Sequence, residues 1–240
     1  MVFAANRDEL HARPTAAADW WSDHPHILGG RDLLAGGTWL AVDQGGRLAA
    51  VTNVPATEGG TFEKSRGHLV TGYLAGKRSA DAFFSRLGTE SETYGPYNLL
   101  VFDGVDFHYS SNQAATQRLS PGTYAVSNAP LGTPWPKVRF AESALEATLA
   151  AKEPAAVLFE MLENRDLHDG GSGAESLSRR HTRVFVEDEQ FGTRSSTVIL
   201  VSRAGEVRFL ERRHNPDGTR AGESDHRFKL EPAGALEATR

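Results

Sequence analysis

The first predicted strand and the polar residues that end it constrain the fold more than any other stretch of the chain. An apolar run from Val2 to Ala5 is followed at once by four polar side chains, Asn6, Arg7, Asp8 and Glu9. This order is typical of a buried strand whose C-terminal end meets a polar site. Charged groups this close to an apolar run are rarely left unpaired. Two interpretations therefore stand, a structural ion-pair network at the strand end and a functional site.

Composition excludes several classes of function. The chain has 240 residues, which suits one domain spanning 1–240, and a net charge of -5, which gives no general attraction to nucleic acid. No apolar run approaches the roughly 18 residues needed to span a bilayer, and no signal peptide is evident, so we expect a cytoplasmic protein without a transmembrane segment. The count of cysteines is 0, which excludes disulfides and thiolate chemistry for these residues.

The order of hydrophobic patterns predicts an α+β fold. Strand-like runs are predicted at 38–42, 47–53, 97–103, 105–110, 123–127, 182–186, 195–202, 207–212 and 227–230. Helical spacing is predicted at 62–76, 80–87, 136–151 and 154–162, and residues 15–37 are rich in turn formers. Hairpins that flank a group of helices indicate one domain of layered antiparallel sheets with helices outside.

Two aromatic and histidine features precede the second predicted strand. Trp20 and Trp21 could form a ligand platform, although adjacent tryptophans more often cover the edge of a core. His24 and His26 alternate, as they would on one face of a strand. Two histidines without a third ligand give a weak metal signal, and we predict no metal site.

Several blocks in order along the chain resemble the NRDE-motif family, which is the family of transport and Golgi organisation protein 2 and its bacterial relatives. The first block is the tetrad Asn6 to Glu9 with the following Leu-His-Ala-Arg-Pro. The later blocks are Gly-Gly-Arg-Asp at 29–32, Gly-Gly-Thr-Trp-Leu-Ala-Val at 36–42, Val-Thr-Asn at 51–53, Arg-Gly-His-Leu-Val at 66–70, Pro-Gly-Thr-Tyr at 121–124 with Ser-Asn-Ala at 127–129, Thr-Pro-Trp-Pro-Lys at 133–137, and Gly-Thr-Arg-Ser-Ser-Thr-Val at 192–198.

The resemblance implies a fold similar to that of the N-terminal nucleophile (Ntn) hydrolases, a four-layer αββα sandwich of antiparallel sheets. Members of that superfamily attack an amide carbonyl with the side chain of an N-terminal Cys, Ser or Thr, and the free α-amine acts as the base. Family members normally open with Met-Cys and a short strand before the run that here begins at Val2. We therefore expect that the first strand and the nucleophile are missing from the chain as written, so that it has no catalytic residue of this type.

The resemblance also implies supporting roles. Asn53, at a predicted strand end, and Asn128 would donate to an oxyanion, although each could equally be a turn or strand-end cap. Arg194 resembles the arginine near the nucleophile, and Arg7 and Asp8 would orient its surroundings. Asn6 and Glu9 complete the first polar block.

Two functions follow as hypotheses. The first is binding or trafficking of an amphipathic, carboxylate-bearing small molecule, with haem or a lipid or acyl ligand as candidates and no cofactor required. Arginines and tryptophans would contact it: Arg7, Arg31, Arg194, Trp20, Trp21, Trp39 and Trp135. The alternative is an Ntn-type amidohydrolase acting on a small C–N bond, which requires an upstream Cys. The sequence does not fix the oligomeric state.

Overall fold

The computed structural model describes residues 1–56, 61–168 and 179–231, with the backbone alone at 179 and 180. The strands in the described residues are, in chain order, β1 (Val2–Leu10), β2 (Thr15–Trp20), β3 (Ile27–Asp32), β4 (Leu40–Asp43), β5 (Leu48–Asn53), β6 (Tyr97–Phe102), β7 (Phe107–Ser111), β8 (Gln117–Leu119), β9 (Phe191–Val201), β10 (Glu206–His214) and β11 (Arg220–Lys229). The helices are α1 (Gly67–Leu74), α2 (Ala80–Glu90), α3 (Pro136–Thr148), α4 (Pro154–Leu162) and the short α5 (Arg179–Thr182).

The chain divides into two compact units. The first, hereafter unit 1, comprises Met1–Arg13, Thr123–Ala125 and Gly132–Phe228. The second, unit 2, comprises Pro14–Gly122, Val126–Leu131 and the residues from Lys229 onward. Each unit carries one sheet and its own helices. The single domain over 1–240 stays a prediction.

Unit 1 is built on a four-stranded antiparallel sheet in the order β1-β9-β10-β11, in which the first strand of the chain pairs with β9. The helix α4 begins at Pro154, which is suited to the first helical turn, and buries Leu158, Phe159, Met161 and Leu162 on one stripe. That stripe and the apolar side of α3 pack against Val198 and its neighbours on the sheet. Burial of one such leucine contributes about 1.5–3 kcal/mol.

Unit 2 is built on a seven-stranded sheet in the order β2-β3-β4-β5-β6-β7-β8. The helices α1 and α2 cover one face, where Leu69, Tyr73 and Phe84 pack against β-strand residues such as Ala49 and Leu99. Every residue of β4 is buried, which means that both faces of this strand are covered. Such burial is typical of a sheet that forms an inner layer.

The sequence predictions agree best with the structure where a segment carries one clear local pattern. The helix at 154–162 is confirmed, and the predicted α+β class with two antiparallel sheets is confirmed. Two predicted strands are wrong, because 123–127 and 182–186 have no strand structure. The turn-rich segment at 15–37 instead contains β2 and β3, and His24 and His26 lie in the loop between them rather than on a strand.

In the residues that the structure describes, no helix combines the length and the apolar composition needed to cross a membrane.

Candidate functional site

The polar end of β1 lies beside a bulge that determines where its neighbours point. Arg7 pairs with Ser195 on β9, but Asp8 pairs with Thr193, so that Arg194 is the extra residue on β9. A bulge of this kind bends the strand and re-aims the side chain at the extra position. The Arg194 Nη1 accordingly donates to the carbonyl oxygens of the chain that follows β1, at Leu10 (2.9 Å), His11 (3.0 Å) and Arg13 (3.1 Å).

Asn6 connects three segments of unit 1. Its Nδ2 donates to the Leu162 carbonyl at 2.7 Å and to the Val184 carbonyl at 3.1 Å. Its Oδ1 accepts the hydroxyl proton of Ser196 at 2.7 Å. Asn6 thus anchors the end of α4 and the segment before β9 to β1, which is a structural role.

A serine–histidine contact in this network does not form a nucleophile–base pair. The Ser196 Oγ lies 3.0 Å from His214 Nε2, but its proton goes to Asn6, so Nε2 must carry the proton that His214 donates. Burial lowers the pKa of His214, with smaller effects from Glu163 and nearby arginines. Ser196 is also fully buried. The contact therefore stabilises the sheet instead of activating the serine.

The half-buried carboxyl group of Asp8 accepts a short hydrogen bond from a neighbouring hydroxyl group. Thr193 Oγ1 donates to Asp8 Oδ1 at 2.6 Å. Burial of the carboxyl raises the pKa of Asp8, and the Thr193 hydrogen bond and the cations of Lys137 and Arg7 oppose that rise in part. The unfavourable effect of burial is the larger one, so the neutral form of Asp8 is favoured more than in water.

The remaining charges of the first block pair with one another. Arg7, which is 7% exposed, lies 3.8 Å from Glu9, and Arg13 lies 3.7 Å from the same carboxylate. Glu9 also accepts from the Leu10 amide at 2.9 Å. The ion-pair interpretation of this block is therefore correct for Glu9. The role of the block in ligand binding stays a prediction.

An aromatic and cationic cluster lies at the start of α3, also in unit 1. The rings of Trp135 and His181 are in contact, with centroids 4.1 Å apart and planes tilted by 38°, and the Lys137 Nζ lies 5.7 Å from the Trp135 ring centroid. Trp135 is half-exposed, whereas Lys137 is 8% exposed. We call Trp135, Lys137 and His181 the Trp135 cluster. The positive charge of Lys137 lowers the pKa of Asp8, so this lysine lies within electrostatic range of the polar end of β1.

Asn53 and Asn128 lie next to each other in unit 2. The Asn128 Nδ2 donates to the Asn53 carbonyl at 2.9 Å, so this amide is already engaged. The exposed Asn53 side chain, at the end of β5, makes no hydrogen bond with the described residues of the chain.

Asn98 holds the segment that carries Asn128. Its side chain, 1% exposed, donates to Thr52 Oγ1 at 3.1 Å and to the carbonyls of Ser127 (3.0 Å) and Ala129 (2.8 Å). Tyr109 completes the set by donating to Asn98 Oδ1 at 2.7 Å. Residues 127–131 are therefore positioned by side chains and not by a strand ladder.

Arg31 and Trp39 lie elsewhere in unit 2 and have structural contacts. The Arg31 guanidinium donates to Asp23 at 2.8 Å and lies 4.1 Å from the Trp21 ring centroid. The half-buried Trp39 indole covers Gly30, where any Cβ would clash with the ring. Neither contact excludes a ligand, and their binding roles stay predictions.

Within each unit the structure brings together one set of predicted residues: Asn6, Arg7, Asp8, Glu9 and Arg194 in unit 1, and Asn53 with Asn128 in unit 2. Sequence reasoning missed Thr193, Ser196, Lys137, His214 and Asn98. The first three lie inside blocks that were recognised, so a signal existed, whereas His214 and Asn98 become visible only through their buried contacts. Among the described residues, no group of three or more His, Cys, Asp or Glu could hold a metal ion.

These features define an α+β protein with two antiparallel sheets and a polar cluster at the end of its first strand. The chain belongs to the family described as Transport and Golgi organisation 2, whose sequence model matches residues 1–216. The resemblance inferred from the sequence is thereby confirmed.

Named relatives agree with this assignment. A Transport and Golgi organization protein 2 homolog from Bos taurus is 34% identical over 256 residues, covering 96% of this chain and 93% of the relative. The Homo sapiens homolog is 32% identical over 236 residues, covering 88% and 86%. The Drosophila melanogaster protein is 27% identical, covering 88% and 85%.

Solved structures of hydrolases overlap with this chain at low similarity. A variant of conjugated bile acid hydrolase from Clostridium perfringens has a TM-score of 0.48 at 10% identity, covering 95% of this chain and 94% of the other. A Caenorhabditis elegans ortholog of N-acylethanolamine-hydrolyzing acid amidase has a TM-score of 0.40 at 13% identity, covering 82% and 86%.

Proposed function

We propose that this protein binds or transports an amphipathic small molecule that bears a carboxylate, with haem or a lipid or acyl chain as the candidate ligand. The observation that carries the proposal is the Trp135 cluster, in which a half-exposed indole, an imidazole and an ammonium group lie together. An apolar ring surface with an adjacent cation suits a ligand with a flat or apolar body and an anionic end.

The residues of the cluster have separable tasks in this proposal. Trp135 and His181 offer ring surface for the apolar part of the ligand. Lys137 contributes a positive charge that is largely buried, so solvent and salt screen its attraction for an anion less than they would for a surface lysine. In the case of haem, the bound group is cargo, and the imidazole of His181 is a candidate for a contact with its iron because it belongs to the cluster.

The names of the relatives agree with a handling role, since they describe transport and Golgi organisation. We further propose that the protein works in the cytoplasm, without nucleic acid as a partner. No cofactor is required for the proposed binding.

The test is a titration of haemin into the protein, followed by the shift of the Soret absorption band. We expect a saturable shift for the wild type and a loss of affinity of about tenfold for Trp135→Leu, because about 1.4 kcal/mol of ring contact is removed. Phe62→Leu is the matched control, since Phe62 is an exposed aromatic residue that belongs to unit 2 and has no place in the proposed site. The proposal fails if neither haemin nor oleate binds saturably, or if both variants lose affinity equally.

A second candidate is hydrolysis of a small C–N bond, and the free side chain of Asn53 is the observation that favours it. An exposed amide at a strand end is available to donate to an oxyanion. The 240 residues include no cysteine, so an N-terminal Cys nucleophile would have to come from outside them.

This candidate is tested by reading the first residues of the protein purified from its own host. If that protein begins with Cys and hydrolyses amides, Asn53→Ala is expected to lower kcat by about 10²–10³, as for the loss of one oxyanion donor. A Cys→Ala variant is the control. A host protein without a Cys, Ser or Thr at its first position would exclude the reaction.

A further inference from the structure

Arg183 differs from the other arginines around it. It lies in the segment between α5 and β9, two residues after His181 of the Trp135 cluster. The residue is half-buried, and its Nε has no solvent contact and no hydrogen-bond partner. Among the described residues it has neither a hydrogen bond nor an ion pair.

Neighbouring arginines of unit 1 show the usual arrangement. Arg165 pairs with Glu187 at 2.8 Å and lies 4.2 Å from the Phe185 ring, and Arg212 pairs with Glu163 at 3.2 Å. A guanidinium is always charged, and partial burial of a charge without a counter-ion is unfavourable. A residue placed in this way has an unmet capacity to bind an anion.

We propose that Arg183 binds the carboxylate of the ligand whose apolar part lies against the Trp135 cluster, an inference that rests on the proposed function. Only Thr182 lies between His181 and Arg183, so the Cα atoms of these two residues lie at most about 7 Å apart. The planar guanidinium fork matches a carboxylate with two parallel hydrogen bonds. Arg183 would thus decide between the acid form of a ligand and its neutral ester.

The experiment compares acids with their esters, so that only the carboxylate changes. Two pairs of probes distinguish the possible sources of the carboxylate: protoporphyrin IX with its dimethyl ester, and oleate with methyl oleate. Affinities are measured by quenching of tryptophan fluorescence for the intact chain. We expect the wild type to bind the acid of one pair about tenfold or more tightly than its ester.

Variants of the protein test whether Arg183 causes the preference for the acid over its ester. Arg183→Gln should lower the affinity for the acid to that for the ester and leave the ester unaffected, while Arg183→Lys should keep part of the preference through its charge. Arg203→Gln is the matched control, because Arg203 is an exposed arginine of the same unit that also lacks a partner in the described residues. Far-ultraviolet circular dichroism verifies that each variant is folded.

The outcomes separate the two proposals. If the wild type prefers the acid and Arg183→Gln keeps that preference, the role of Arg183 is refuted and the binding function stands. If acid and ester bind equally to the wild type, the carboxylate contact is refuted. If no probe of either pair binds, the proposed function fails and the inference fails with it.

Discussion

At the scale of a single residue, Asn6 shows that a residue recognised as part of a motif can have structural contacts in the fold. Its place in the first polar block suggested a site, yet both donors of its amide serve backbone carbonyls, those of Leu162 and Val184. These contacts close unit 1 around β1. The neighbouring Asp8, Arg7 and Lys137 hold the charges that a ligand could sense.

Removal of the Asn6 side chain should destabilise the protein. Asn6→Ala leaves the two carbonyls and the Ser196 hydroxyl without their partner, and we expect a loss of about 2–4 kcal/mol in the free energy of unfolding. Urea denaturation monitored by circular dichroism measures it. Gln113→Ala, at an exposed side chain, is the control and should change stability by less than about 0.5 kcal/mol. A similar change in both variants would contradict the anchoring role.

Asp8 should make stability depend on pH in an unusual direction. Burial raises its pKa above the ordinary value of 3.8, so the folded state holds this proton more tightly than the unfolded state. The protonated carboxyl of Asp8 therefore adds to the free energy of unfolding at low pH. This contribution is lost as the pH rises from about 3.8 through the pKa of the folded state. Asp8→Asn, which cannot ionise, should therefore gain stability relative to the wild type as pH rises.

The control for this titration has the opposite sign. Hydrogen bonds from Thr219 lower the pKa of Asp217, so its contribution is present above 3.8 and is lost as pH falls. Asp217→Asn should therefore lose stability relative to the wild type as pH rises. Urea unfolding of the three proteins between pH 3 and pH 8 compares the slopes. Equal slopes for Asp8→Asn and wild type would refute the raised pKa.

At the scale of elements, the sequence predicts what local signals determine. The helix α4 has a proline at its start and apolar residues at helical spacing, and its bounds agree with the prediction. β3 was missed because Gly29 and Gly30 have low strand propensity. They are required by packing, since a side chain at Gly30 would clash with Trp39 and one at Gly29 would clash with Ala41.

The wrong strand at 123–127 has a related cause. Its composition favours a strand, but Thr52 and Asn98 take the Ser127 carbonyl with their side chains, at 2.7 Å and 3.0 Å. A long-range contact of this kind leaves no local signal. The same limit applies to the site, because the blocks identify Asp8 and Arg194 but not the bulge that aims Arg194.

Asn98 should control the order of residues 127–131. Asn98→Ala removes all its side-chain hydrogen bonds, and we expect a loss of about 3 kcal/mol in unfolding free energy together with faster hydrogen exchange at 127–131. Tyr109→Phe removes the hydroxyl that donates to Asn98 and accepts from the Leu131 amide, and it should cost about 2 kcal/mol. Hydrogen exchange read by mass spectrometry measures both. Unchanged exchange at 127–131 in Asn98→Ala would show that other contacts hold this segment.

At the scale of the whole molecule, family membership and two antiparallel sheets with their helices are the firm results, and a binding role for the Trp135 cluster is the central proposal. The relatives match nearly the full length of the chain, so the family covers both units. The net charge of -5 gives no general attraction to an anionic ligand, so the proposed binding would depend on local cations such as Lys137 and Arg183.

The most direct measurement is the mass of the protein purified gently from its own host, recorded first under native and then under denaturing conditions. We predict a native mass that exceeds the denatured mass by one carboxylate-bearing amphipathic molecule, and recovery of that excess when ligand-free protein is incubated with haemin or oleate. Trp135→Leu should lose the excess. Equal native and denatured masses, with no uptake of either compound, would contradict the account.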